Sequence, residues 1–246
     1  MEGTEIRKLV ALEDDHWWYR ERRHLLRRRV RDVAPGQALD IGAAGGGNTR
    51  VLESLGWDVL ALEFTAEGAQ VARERGLQVV RADAQHLPVA DRSLDLVTAL
   101  DVLEHLPDHE AAAAQIHRVL RPGGILIAAV PVDQRLWSEH DVAVGHERRY
   151  APAEFLALLQ GAGLEVLESR SWMVLLRPAV ALHRRRSEGS DLDEPHPLVN
   201  AALTGVLILL TFPVLTGAFI ALLADRIVGT HVFDPEHGGP ILYQHL

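Results

Sequence analysis

From Gln37 onward, short apolar runs alternate with longer amphipathic stretches. The runs at 37–42, 57–62, 77–82, 94–100 and 123–130 have the length and aliphatic content of buried strands. Between them, 47–55, 66–75 and 108–120 repeat apolar residues at helical spacing, and a shorter helix is expected at 153–161. Alternation at this interval predicts βαβ units, hence an α/β fold with a doubly wound, mostly parallel sheet covered by helices on both faces. Pro107 and Asp108 open one helix; Arg121-Pro122-Gly123-Gly124 ends it with a turn and launches the next strand.

The flanks read differently. Residues 5–33 are expected to be helical, with Trp17, Trp18, Leu25, Leu26 and Val30 as apolar points and seven arginines between Arg20 and Arg31. The preferred reading of those arginines is a solvated face; the sharper one is a cap meeting an anionic substrate or lipid head group. Leu164–Arg170 has the pattern of a sixth strand, and Pro240–Leu246 that of a last one. Between them lie a polar linker at 183–197 and then Leu198–Ala224, without a single charge. Three segments result: an N-terminal helical cap (1–35), an α/β core (36–182) and a C-terminal extension (183–246).

The charge-free segment is long enough to span a bilayer at about 1.5 Å per residue. It has three readings: a transmembrane helix, an interfacial or re-entrant segment, and burial against the domain or a second copy. If 240–246 joins the sheet, both ends of the segment lie on one side, which rules out a single crossing. Interfacial contact is favoured, with Arg184–Arg186 available to anionic lipid. A homodimer through 198–224 is the competing partner arrangement.

Composition narrows the function classes. The 246 residues carry a net charge of −9, which sets nucleic acid aside as a partner. There is no cysteine, so disulfides and thiolate metal sites are excluded. Met1–Asp15 is charged and lacks an apolar core, so no signal peptide is expected and the site is placed in the cytoplasm.

The chemistry concentrates at 38–47, Ala-Leu-Asp-Ile-Gly-Ala-Ala-Gly-Gly-Gly. A strand ends near Asp40, the chain becomes almost free of side chains, and a helix begins. Such a turn lets backbone N–H groups approach a ligand closely. An acid within it repels a pyrophosphate but suits a ligand with hydroxyls and a positive charge, such as S-adenosylmethionine. Glu63 and Asp83 stand at the ends of the next two strands, where a carboxylate can accept from ribose hydroxyls and from an adenine amino group. A nicotinamide dinucleotide fits less well, because the G-x-G-x-x-G spacing is absent and Lys8, the only lysine, leaves no Tyr-x-x-x-Lys pair.

The turn, Glu63, Ala82-Asp83-Ala84, Leu103-Glu104-His105-Leu106 and Val119-Leu120-Arg121-Pro122-Gly123-Gly124 together resemble class I S-adenosylmethionine-dependent methyltransferases, in the group that includes the ubiquinone-type O-methyltransferases. The resemblance covers about residues 36–170. It implies a seven-stranded sheet with an antiparallel last strand, and a cofactor site at Asp40, Gly42, Ala43, Gly45, Glu63, Phe64, Asp83 and Ala84, with Asp101 nearby. Ala44 stands where the group usually has glycine, and Leu94 where it often has phenylalanine.

Transfer to a hydroxyl needs a base, and the pool is His105, His140, His146 and Tyr150. Arg148 and Arg149, with Trp18, are assigned to the acceptor. The run from His140-Asp141 to Gly145-His146-Glu147-Arg148-Arg149-Tyr150 also resembles a signature in a subgroup of bacterial methyltransferases. No metal is expected, since nothing has a recognised ligand spacing. The function expected is methyl transfer from S-adenosylmethionine to an oxygen, or less readily a nitrogen, of a small or amphiphilic acceptor, lipid-linked ones included. A catalytically silent cofactor-binding partner subunit and a nicotinamide oxidoreductase are the alternatives.

Overall fold

A computed structural model describes Arg7 and residues 10–172, and every structural statement concerns these. The chain divides into two compact units, Met1–Glu194 and Pro195–Leu246; the described residues belong to the first. The expected strand at 240–246 and the charge-free segment at 198–224 lie outside them.

Five strands form one parallel sheet: β1 (Gln37–Ile41), β2 (Asp58–Glu63), β3 (Val79–Arg81), β4 (Leu94–Leu100) and β5 (Leu120–Ala129). Their order is β3-β2-β1-β4-β5, every adjacent pair parallel. The chain winds outward from β1 in one direction and then, through β4, in the other. The switch point is therefore the β1/β4 boundary, where the carboxyl ends of strands leave a crevice.

The helices are α1 (Trp17–Val30), α2 (Gly47–Glu53), α3 (Ala66–Glu74), α4 (His109–Val119), α5 (Glu139–Ala143) and α6 (Pro152–Gly161). Local chemistry sets their starts. Thr65 accepts from the Gly68 N–H at 3.0 Å to cap α3, and Asp108 accepts from the Ala111 N–H at 2.8 Å to cap α4. At α5 the reciprocal bonding of Ser138 and Asp141 forms a capping box.

Alternation along the central strands sorts the core into two layers. Leu39, Ile41, Leu62, Val97 and Ala99 face α4, where Ala112, Ile116 and Val119 meet them. Ala38, Val59, Leu96 and Leu100 face the other way, onto Val51, Leu52 and Trp57 and onto Leu26 and Val30 of α1. The N-terminal helix thus contributes to the core through two residues one helical turn apart.

Two expectations need correction. The helix over 5–33 is interrupted between Glu13 and His16, and α1 restarts at Trp17 with His16 Nδ1 accepting from the Trp18 N–H at 3.2 Å. Leu164–Arg170 forms no strand among the described residues: none of the five strands pairs with it, and Leu167 is 80% exposed. Among the described residues the sheet has five strands rather than seven.

Leu26→Ala is expected to lower stability by about 2–5 kcal/mol in urea unfolding, as a core truncation does. Leu167→Ala, at an exposed position, is expected to change it by less than about 0.5 kcal/mol.

Candidate functional site

The glycine turn leaves β1 with Gly42 at φ 69° and reaches α2 with Gly46 at φ 81°. Both positions favour glycine on backbone grounds. A Cβ on Gly42 would also come within 2.7 Å of Val102, and one on Gly46 within 2.0 Å of Leu77. Gly42 and Ala43 donate their N–H groups to Leu62 O at 2.9 and 3.3 Å, which ties the turn to the end of β2. Ala44, at φ 47°, donates its N–H to Glu63 Oε1.

Asp40 lies directly beneath, buried at 1% exposure. Its two oxygens accept from Thr49 Oγ1 and Thr98 Oγ1, both at 2.6 Å. Burial raises its pKa, and the two hydroxyls partly offset that rise. The carboxylate is fully occupied within the protein and orders the turn from below.

Glu63 is buried at the end of β2, and burial raises its pKa against the opposing Ala44 hydrogen bond. Phe64 beside it is 66% exposed, an unusual setting for a large apolar ring. Asp83 follows β3 half-buried, accepting from the Gln85 N–H at 2.8 Å and the Gln85 amide at 3.1 Å, and Ala84 is buried next to it. Gly45 is buried where the N-terminal segment crosses the turn. Asp101, just past β4, holds the left-handed φ of 57° and ion-pairs with Arg22 of α1. Burial opposes the charge on Arg22, but Asp101 outweighs it and holds the guanidinium's pKa above its ordinary value.

The turn's outer side is covered by groups with no signal in the sequence. Glu13, 4% exposed, ion-pairs with Arg75, and Cβ atoms on Gly45 or Gly47 would come within 2.6 or 2.7 Å of its carboxylate. The solvated reading of the arginines therefore fails for Arg22, whose side chain is 13% exposed, and holds for Arg27 and Arg28, which are exposed.

A second polar cluster joins the turn after β4 to residues 130–151, the lid segment between β5 and α6. His105 Nδ1 lies 2.9 Å from Gly145 O, and a carbonyl can only accept, so the hydrogen sits on Nδ1. His146 Nδ1 lies 2.7 Å from Asp141 Oδ1, which also accepts from Arg149 Nε at 2.8 Å. Burial works against ionised Asp141, yet the bonds from His146 and Arg149 hold its carboxyl far below the usual carboxylate range. The His105 and His146 rings meet edge to face at 4.7 Å, and His140 stands 6.3 Å from His146. Burial lowers the pKa of His105. Beneath them Glu104 is 0% exposed, and neither carboxylate oxygen has a hydrogen-bond partner. Burial, then Asp101, pushes its pKa well above the ordinary value. Glu104 belonged to a motif read in the sequence but carried no role there.

The residues assigned to the acceptor are mostly engaged internally. Arg148 donates to Leu106 O and Pro107 O, and Arg149 is buried on Asp141. Tyr150 is 3% exposed, its hydroxyl between Leu103 O at 3.1 Å and His109 Nδ1 at 2.7 Å. Trp18 packs on Trp172 with ring centroids 4.3 Å apart.

Residues 39–128 match the family described as methyltransferase domain. A protein of Mycolicibacterium smegmatis named as an S-adenosylmethionine-dependent methyltransferase is 29% identical over 66% of this chain and 65% of its own length. A demethylmenaquinone methyltransferase of a Mycobacterium species is 33% identical over 48% of this chain and 50% of its own. The chain thus spans less than two-thirds of either relative. One chain of a solved complex between the Haloferax volcanii Trm112 methyltransferase activator and a methyltransferase superimposes with TM-score 0.58 at 26% identity, over 68% of this chain and 75% of that one. A separate similarity joins 47 residues, 19% of this chain, to 8% of a Streptomyces avermitilis protein named as cytochrome c oxidase subunit 1-alpha, at 62% identity.

Thr98→Val removes one Asp40 donor while keeping the side-chain shape. Chemical unfolding is expected to show a loss of about 1–3 kcal/mol, the cost of an unsatisfied buried acceptor. Thr98→Ser, which keeps the hydroxyl, is expected to lose less.

Proposed function

We propose that this chain, whose residues 39–128 match a methyltransferase domain, transfers a methyl group from S-adenosylmethionine to an acceptor oxygen, or a nitrogen, of a small or amphiphilic molecule. The observation that carries this is the arrangement at the carboxyl ends of β1, β2 and β3. A positive-φ turn tied to Asp40 through β1, the Glu63 carboxylate bonded to the turn at Ala44, the exposed ring of Phe64 and the Asp83–Ala84 pair all follow the carboxyl ends of adjacent parallel strands. That donor and acceptor set fits an adenosine bearing a positive charge.

In this reading Glu63 accepts from the ribose hydroxyls, Phe64 covers the adenine, and Asp83 with the Ala84 N–H reads its edge. Gly42, Ala43 and Gly45 keep the turn low enough for backbone approach. When bound, S-adenosylmethionine supplies a methyl group on a cationic sulfur for in-line displacement. The chain's remaining tasks are alignment, exclusion of water and removal of the acceptor's proton. The Glu104, His105 and His146 cluster, with Asp101 at its edge, is the machinery for that last task.

Amphiphilic acceptors are favoured by two observations. One relative is named for demethylmenaquinone, and Leu198–Ala224 is free of charge beside the basic Arg184–Arg186. Among the described residues no helix is long and apolar enough to cross a membrane, and 198–224 is not among them. Contact of that segment with the membrane interface is part of the proposal.

Calorimetry with S-adenosylhomocysteine tests the cofactor site. The intact chain is expected to bind it, and Glu63→Ala to weaken binding by roughly tenfold or more, the worth of a buried charge-assisted hydrogen bond. No uptake by the folded native chain rejects the reading. For the membrane arm, the full chain is expected to float with anionic vesicles and a 198–224 deletion to stay behind. A full chain that remains at the bottom of the gradient removes the membrane from the proposal.

A further inference from the structure

Glu104, His105 and His146 each bring a ligand atom within 4.8 Å of the others. We propose that they form a binding site for a divalent transition-metal ion of the zinc type, with two imidazole nitrogens and one carboxylate as ligands.

Three features of the cluster support this. The first is the orientation of the imidazoles. Both rings have Nδ1 committed, His105 to a backbone carbonyl and His146 to the Asp141 carboxylate. Each therefore turns Nε2, the lone-pair nitrogen of the neutral ring, away from its orienting partner. Metal-binding histidines are held in this way, the second nitrogen donating to a carboxylate or a carbonyl.

The second feature is Glu104. A fully buried carboxylate with neither oxygen hydrogen-bonded is costly and demands a partner. The nearest ring nitrogen, His146 Nε2, is 3.9 Å from Oε1. That is too long for a hydrogen bond but close to the separation of two ligands on one ion. A tetrahedral zinc with bonds of about 2.1 Å sets its ligand atoms about 3.4 Å apart. Small side-chain rotations close the difference.

The donor set is the third. Two imidazoles and a carboxylate match zinc and its first-row neighbours better than magnesium or calcium, which prefer oxygen ligands alone. The chain spacing conceals the set, because His146 reaches Glu104 and His105 only through the lid, whose Glu147 N–H donates to Glu104 O at 2.8 Å.

The site's chemical consequence rests on the methyltransferase reading, although ion binding does not. An acceptor hydroxyl that took a remaining coordination position of the ion would lose its proton more easily, because the dication would stabilise the alkoxide or phenoxide. That oxygen then forms the new bond to the methyl carbon as the sulfur–carbon bond breaks, the electron pair going to sulfur and the proton to solvent.

The test uses the full chain stripped with chelator and titrated with Co2+, followed by the visible band of the bound ion. One equivalent is expected to bind, with zinc displacing it. Glu104→Gln and His146→Ala are each expected to weaken binding more than tenfold. Asp141→Asn, which weakens the bond that orients His146, is expected to weaken it by about 10–100-fold. His24→Ala, on the exposed face of α1, is expected to leave it unchanged. Should Glu104→Gln fail to fold, His146→Ala decides alone. A stripped native chain that shows no stoichiometric Co2+ band, or a His146→Ala chain that binds as tightly as the native one, overturns the site. S-adenosylhomocysteine binding to the stripped chain reports separately on the methyltransferase reading and is expected to persist.

Discussion

A single buried carboxylate holds the centre of this molecule together. Asp40 lies in the middle strand of the sheet, opposite Thr98 in the register of β1 and β4, and one turn below Thr49 of α2. Its two oxygens bind one hydroxyl from each neighbour, so one side chain fixes the relation of three elements where the winding reverses. Burying a carboxylate is expensive unless its acceptors are filled. Here both are filled, and the two hydroxyls oppose the rise in pKa that burial causes. The glycine turn, the lip at Glu63 and the start of α2 all inherit their positions from this arrangement. An asparagine would offer one acceptor where two donors wait.

Much of this was legible in the chain. Apolar runs and helical spacing located the strands at 37–42, 57–62 and 94–100 to within a residue or two, because central parallel strands are buried on both faces and read as continuous apolar runs. The strand-end acids could be found because a parallel sheet delivers successive strand ends to one edge. What failed depended on distant partners. Leu164–Arg170 has strand-like content but gains no neighbouring strand among the described residues. The helix over 5–33 is broken so that Glu13 can reach Arg75, a pairing 62 residues apart that no local pattern records. Helix α5 was missed although Ser138-Glu139-His140-Asp141 carries the capping signature that could have revealed it.

The polar residues of the lid show how composition misleads about role. Arg148 and Arg149 read as acceptor contacts, and Tyr150 as a candidate base, because they are charged or polar within a loop. In the fold they are structural ties, satisfying the carbonyls of Leu103, Leu106 and Pro107 and the Asp141 carboxylate. Their work is to seat the lid against the turn after β4. That seating brings His146 over Glu104, so the ties and the chemistry belong to one assembly.

The Glu13 carboxylate pressed against Gly45 and Gly47 has an evolutionary corollary. A side chain gained at either glycine must displace an acid already paired with Arg75, so neither position can drift alone. Substitutions at 13, 45, 47 and 75 are energetically coupled, and their effects will not add as those of distant sites do. Across descendants of this chain the four should change together, and a covariation signal linking the N-terminus to the glycine turn is the trace such coupling leaves.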